Sequence, residues 1–232
     1  MLKALGPDIW TADGGNVSFF GIAYPTRMAV VRLADGGLWV WSPIALSREI
    51  EDAVVALGPV RHLVSPNKLH HLFLGQWNAR FPDAKLWGTA STVAKVKQLQ
   101  FSGTLGDRAP PDWAGQIDQY HLDNSRFLDE LLFFHRRSRT AIVGDYSQPF
   151  SESFLDREWP WWARVLATLV GMVEGRGYPP LEVRMTFFHR ATARAKVRAL
   201  IADDPERVVV AHGELVRSGG AAYLRRAFAW LL

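Results

Sequence analysis

Three short apolar runs in this chain end on residue types that bind metals or move protons. VRHLVSPNKLHH leads from Val60 to His70 and His71, TAIVGDY from Thr140 to Asp145, and RVVVAHG from Arg207 to His212. A brief β-branched run bounded by Pro, Gly or Asp reads as a buried strand. In layered α/β proteins, ligands collect beyond strand ends, where loops from distant parts of the chain meet. A chain with three such runs is constrained toward a fold that sets their tips on one edge. Taken singly, each is weak: a histidine at a strand end is commonly structural, and an Asp after Gly is ordinary turn chemistry.

The remaining pattern agrees with α/β layering. DIWTADG, NVSFFGIAYP, RMAVVRLADG and GLWVWSP read as strands, the last two as a hairpin turning at Asp35, Gly36 and Gly37. Ser47 is placed to cap a helix carrying Ile50, Val54 and Leu57, which Gly58 and Pro59 end. NKLHHLFLGQWNARF reads as a loop entering a helix, AKLWGT as a strand and STVAKVKQLQ as a helix. IDQYHL and ELLFFHR are further strands. Helices are expected from Trp159 to Glu174, from Ala191 to Ile201, and over the C-terminal AAYLRRAFAWLL. Alternation of strand and helix argues for helices packed on sheets.

Composition narrows the chemistry. The 232 residues include no cysteine, so disulfides, thiolate ligands and cysteine nucleophiles are excluded, and any metal is held by His, Asp or Glu. The net charge of +4 is spread among acidic residues with no long basic run, which argues against nucleic acid as a partner. The most apolar window, Trp159 to Val173, contains Arg164 and is shorter than the roughly 20 residues a bilayer span needs. The N-terminal MLKALGPDIWTADGG lacks the apolar stretch of a signal peptide, so a cytoplasmic location is expected. No phosphate-binding glycine loop is present, and Ser42-Pro43 and Ser65-Pro66 lack a nucleophile-elbow context.

The order of these motifs resembles the metallo-β-lactamase superfamily. SPNKLHH stands where that family has Thr-His-x-His-x-Asp-His, VGDY where it has an apolar strand ending in Gly-Asp, and VAHG where it has a late strand ending in His. RLADGGLWVWSPI and SPNKLHH also resemble an uncharacterised branch, a domain of unknown function. The resemblance spans nearly the whole chain. It implies one domain over residues 1–232, an α/β (α+β) four-layer αββα sandwich, and a hydrolase-like activity.

The departures from the family motif reshape the expected site. Aligning Ser65 with the motif's Thr places Pro66 and Lys68 where the first two histidines belong. His70 then replaces the Asp, and His71 matches the final His. Proline offers no side-chain ligand, and a protonated lysine is only a donor. The resemblance therefore implies the loss of one of the family's two metal sites and a mononuclear remainder held by His70, His71, Asp145 and His212. Zinc is the first choice for imidazole and carboxylate ligands, with iron or manganese as alternatives. Lys68 is expected to fill the vacated position and polarise a substrate oxygen. His70, Lys68 and Asp145 are the candidate catalytic residues. His121 or His135 is a candidate acid/base group or a structural histidine.

Two functions follow as expectations. The first is metal-dependent hydrolysis of a small ester, lactone, amide or phosphoester. The second is a non-catalytic relative that binds a metal or small molecule. Trp159, Trp161 and Trp162 introduce an apolar helix that offers a core element, a homodimer face, or a peripheral membrane contact.

Overall fold

The structure, a computed structural model, describes residues 1–232. The chain begins with four strands, β1 (Lys3–Gly6), β2 (Ile9–Phe19), β3 (Ile22–Arg32) and β4 (Leu38–Trp41). Helix α1 (Arg48–Val55) leads into β5 (Val60–Val64). Next come α2 (Leu74–Arg80), β6 (Lys85–Gly88), α3 (Ala90–Lys95) and the short β7 (Gly103–Thr104). These strands form a seven-stranded sheet in sequence order, antiparallel through β4 and parallel from β4 to β7.

A second sheet of four strands has the order β11-β10-β9-β8, with β8 (Ile117–Leu122), β9 (Glu130–His135), β10 (Thr140–Val143) and β11 (Arg207–Val210). Strands β10 and β11 are parallel, so the connection between them must cross over. It holds α4 (Glu152–Glu158), α5 (Trp161–Val170), α6 (Leu181–Met185) and α7 (Arg190–Ala202). Helix α8 (Gly220–Ala227) follows β11.

Three apolar clusters show the layering. Trp39, Trp41, Trp113, Phe133, Ile142 and Val209 meet between the two sheets. Ile50 and Val54 of α1 and Trp77 of α2 cover the outer face of the first sheet. Val197 and Leu200 of α7 with Leu224 of α8 cover the outer face of the second. The order is therefore helices, sheet, sheet, helices, as the family resemblance implied. Each fully buried Leu, Ile or Phe contributes about 1.5–3 kcal/mol of transfer free energy, so these faces fix which side of each strand points inward.

Several local expectations differ in detail. DIWTADG and NVSFF are one continuous strand, β2, paired with β3 across a tight turn at Phe20 and Gly21. The helix expected from Trp159 to Glu174 is shorter, α5 over Trp161–Val170, and a separate helix not expected from the sequence, α4, precedes it. Pro160 has an extended backbone, so it ends α4 and opens α5, and Gly171 in a left-handed conformation closes α5. Helix α3 stops at Lys95, well short of Gln100. No helix is long and apolar enough to cross a membrane.

Candidate metal centre

The parallel pairing of β10 with β11 brings two of the sequence motifs together. Val143 and Val210 are register partners, so Asp145 and His212 lie two residues beyond the same rung. His70 arrives from the other sheet, in the turn after β5. Ser65 Oγ donates to the carbonyls of Asn67 at 2.8 Å and His70 at 3.0 Å, and the Leu69 N–H donates to Asn67 Oδ1 at 2.8 Å. These bonds fold SPNKLHH back on itself and turn His70 inward.

His70 Nε2 stands 3.2 Å from Asp145 Oδ2, and His212 Nε2 stands 3.2 Å from Asp145 Oδ1. One ligand atom from each of the three residues lies within 4.8 Å of the others. All three side chains are under one-tenth exposed, at 7%, 6% and 9% for His70, Asp145 and His212. The remote nitrogens are anchored. His212 Nδ1 is 2.6 Å from the Pro25 carbonyl, which only accepts, so Nδ1 carries the proton and Nε2 of the neutral ring points a lone pair inward. His70 Nδ1 is 2.6 Å from Ser42 Oγ. His70 Nε2 is not aligned for a hydrogen bond to Asp145 and is buried without a partner. Two imidazole nitrogens and a carboxylate oxygen facing one point, one of them orphaned, fit a divalent cation.

Asp145 is prepared for that role. Burial pushes its carboxyl up. The neighbouring His70 and His212 imidazoles outweigh this and hold it well below the usual carboxylate range. Asn67 Nδ2 donates to Asp145 Oδ2 at 2.8 Å and Gln148 Nε2 to Oδ1 at 3.2 Å. Behind it lies Glu130, fully buried at the start of β9. Glu130 accepts the backbone N–H groups of Gly144 at 2.9 Å, Asp145 at 2.6 Å and Tyr146 at 3.3 Å, together with Asn67 Nδ2 at 2.9 Å. Burial, then the neighbouring Asp145 charge, raises its carboxyl to about 8 against the pull of those donors. A Cβ on Gly144 would come within 2.9 Å of Glu130 Oε2, so the Gly of Gly-Asp makes room for this buried carboxylate.

The other candidates lie elsewhere. His71 lines the same cavity, half-buried, but is not in the group of three ligand atoms. Burial, then the charge of Lys95, lowers its pKa. Lys68 does not occupy the vacated position, which corrects the expectation: its ammonium sits 5.9 Å over the Phe127 ring. The side chain that reaches Asp145 from this turn is the amide of Asn67, because the turn that brings His70 inward carries Lys68 outward. His121 faces Asp129 at 3.4 Å, and His135 is buried against Ser138 Oγ at 2.7 Å, and neither lines the cavity. Asn67, Glu130 and Gln148 were not singled out from the sequence, and Ser42 was considered there only as a nucleophile and set aside. Glu130 alone left a signal there, an acidic residue opening the apolar run ELLFF.

The three residues form the floor of a cavity of about 190 Å³. The β2–β3 hairpin walls it with Val17, Phe19 and Tyr24, and Phe127 and Val183 face it from the second half of the chain. Arg27 fixes one side. Its guanidinium binds Asp13 Oδ1 at 2.7 Å and the carbonyls of Val210 at 2.8 Å and Gly213 at 2.7 Å, which holds the β11 tip against β3. The arrangement can bind a cation and present it to a small, partly apolar ligand.

Comparison with solved structures bears on the fold. The chain is similar to the DIM-1 metallo-beta-lactamase exposed to ceftazidime, at 15% identity over 100% of this chain and 95% of that one, with a TM-score of 0.67. It is also similar to a metallo-beta-lactamase from Pontibacter korlensis, at 10% identity, covering 100% and 98% with a TM-score of 0.62. A third, from Erythrobacter litoralis, is 13% identical, covering 99% and 91% with a TM-score of 0.62. At such identities the likeness concerns the fold alone. No curated protein sequence matches. The family model described as Domain of unknown function (DUF4336) matches residues 7–153, more than half of the chain. On a metallo-beta-lactamase fold, this chain therefore belongs to the DUF4336 family.

Proposed function

We propose that the chain is a metal-dependent hydrolase-like protein with a mononuclear site, acting on a small ester, lactone, amide or phosphoester. The observation that carries this reading is the buried, partnerless Nε2 of His70, facing the same point as His212 Nε2 and the Asp145 carboxylate. His70, Asp145 and His212 would hold the ion, zinc by preference for this donor set. A bound divalent cation supplies Lewis acidity toward a carbonyl or phosphoryl oxygen. The protein's own part is to keep Asp145 ionised through its neighbours, to keep both imidazoles oriented through Ser42 and Pro25, and to enclose the ligand between Phe19, Tyr24 and Phe127. A broad esterase, lactonase and phosphodiesterase screen tests the reading. Activity that disappears in both Asp145→Ala and His212→Ala supports it, and activity that survives both removes the site from the reaction.

A second reading, a non-catalytic binding protein, is favoured by the surface of α5. Trp161 is 75% exposed and Leu169 73%, with Val165 and Leu166 beside them. This face is also the proposed place of a homodimer contact. A sedimentation experiment decides: a concentration-dependent dimer that Leu169→Gln dissolves supports the contact, and a monomer at all concentrations rules it out.

A further inference from the structure

We propose that the mouth of the cavity docks on an anionic lipid surface, through a rim of exposed apolar side chains interspersed with unpaired cations. This rim is distinct from the floor that His70, Asp145 and His212 form, and its docking does not depend on a bound ion.

The exposed apolar side chains of this chain are unevenly placed. Apart from Met1 and Val55, every large one belongs to a segment that borders the cavity or is tied to one that does. Phe20, 90% exposed, tips the β2–β3 hairpin next to Phe19, which lines the cavity. Leu72 lines the cavity from the turn after β5 and is exposed as well. On α6, Glu182 and Val183 line the cavity, while Leu181 and Met185 are exposed, Met185 at 75%. Phe188, also exposed, follows α6. Helix α5 spans from the hairpin to α6. Just before it, Trp159 Nε1 donates to the Ala23 carbonyl of the hairpin at 2.7 Å. At its end, the Val170 carbonyl accepts from Arg184 of α6 at 2.7 Å. Single exposed hydrophobic residues are ordinary, but a collection of them around one opening marks an interaction site.

Cations stand among these side chains. Lys95 lines the cavity, Lys68 lies over Phe127, and Arg126 is exposed beside Phe127. Arg190 is exposed two residues after Phe188, and Arg176 is exposed in the loop between α5 and α6. None of the five forms an ion pair. They outnumber the unpaired acids of the same segments, Asp123, Glu174 and Glu182, and Asp129 is engaged by His121 and Ser91. Unpaired surface cations are drawn to the negative potential of an anionic leaflet, and exposed aromatic, Leu and Met side chains beside them enter the headgroup boundary. The layout favours a lipid surface over a protein. The apolar groups come from separate segments around an opening, and a fluid surface accommodates such a rim without matching its shape. A second copy seated on α5 alone does not account for Phe20 and Leu72, which stand on other segments.

Cosedimentation with vesicles tests the proposal. The full chain is mixed with vesicles of phosphatidylcholine alone and with vesicles in which phosphatidylglycerol makes up a third of the lipid, at low and at physiological salt. The partition coefficient on the phosphatidylglycerol vesicles should be about tenfold or more above that on phosphatidylcholine, and should fall as salt rises. Phe20→Ser and Met185→Ser should each lower it by about threefold or more. Lys68→Gln combined with Arg126→Gln should abolish the preference for phosphatidylglycerol. All four positions lie outside the buried core, and circular dichroism checks that each variant is folded. Binding to neither vesicle would overturn the proposal. So would equal binding to both, or binding indifferent to Phe20→Ser and Met185→Ser. A dimer that Met185→Ser dissolves, in protein that ignores vesicles, would assign the rim to a second copy and overturn it too. Chelator-stripped and zinc-loaded protein should bind vesicles alike, so a failure of the metal reading leaves the vesicle result standing.

Discussion

Glu130 and Asp145 are two carboxylates buried side by side, joined through the Asp145 N–H, which donates to Glu130 Oε2 at 2.6 Å. Asn67 Nδ2 donates to both, at 2.9 Å to Glu130 and 2.8 Å to Asp145. Two negative charges at this separation repel strongly in a buried setting, so one of the two carboxyls is driven toward its neutral form. The direction of each follows: Glu130 is pushed up, and Asp145 is held down by His70 and His212.

Replacing Glu130 by Gln keeps the shape and one oxygen, but turns an amide NH₂ toward one pair of donors that Glu130 accepts, either the Gly144 and Tyr146 N–H groups on Oε1 or the Asp145 N–H and Asn67 Nδ2 on Oε2. Leaving one of these two pairs of donors without an acceptor should cost about 2–4 kcal/mol. Urea unfolding of Glu130→Gln against wild type measures it, and an unchanged midpoint would show that the cluster does not depend on the buried acceptor. Zinc affinity should fall in the same variant, because the Gly-Asp turn that aims Asp145 loses its anchor.

Gly213 places His212. Its φ is +108, and a Cβ there would lie 2.3 Å from the Pro149 carbonyl oxygen. That contact is with backbone and cannot be relieved by rotating a side chain. Gly213→Ala should therefore lower stability by about 3 kcal/mol or more and displace His212 from Asp145. A thermal melt measures the first effect and zinc titration the second. A wild-type melt with wild-type zinc binding would contradict the argument.

His135 supplies a pH dependence away from the site. Burial lowers its pKa from 6.5 to about 4, with the Asp8 charge opposing and Arg137 assisting. The folded chain keeps this ring neutral while the unfolded chain protonates it below about pH 6.5. Its contribution to stability is complete above that value and is lost as pH falls toward 4. Between pH 7 and 5 the loss should be on the order of 1–2 kcal/mol. His135→Asn retains a polar partner for Ser138 and should flatten this limb of stability against pH. Equal slopes for the two proteins would assign the acid sensitivity to other groups.

Much of the architecture was legible because it follows from local pattern. The β-branched runs TAIVGDY and RVVVAHG announce strands β10 and β11, and parallel pairing of two strands that each end on a ligand type puts Asp145 beside His212. Helix α4 was hidden because its sequence ESFLDRE buries only Leu155 and so shows no apolar repeat. In the site, the side-chain directions within SPNKLHH were not readable. A turn residue's orientation depends on which of its polar groups bond to one another, so Asn67 faces Asp145 while Lys68 faces Phe127. The roles of Ser42 and Glu130 beside the site were not readable for a related reason. Their partners lie 28 and 15 residues away, at His70 and Asp145, and only the assembled sheets bring them together.

In the proposed site His70, Asp145 and His212 hold one metal ion. Its most direct test is the stoichiometry of zinc bound by untagged, chelator-stripped protein, measured by elemental analysis after reloading and removal of free ion. The expected result is about one ion per chain in wild type, lost in His212→Ala and in Asp145→Ala, since each removes one of three ligands. No bound ion in folded wild-type protein, or the same stoichiometry and affinity in both variants, would contradict it.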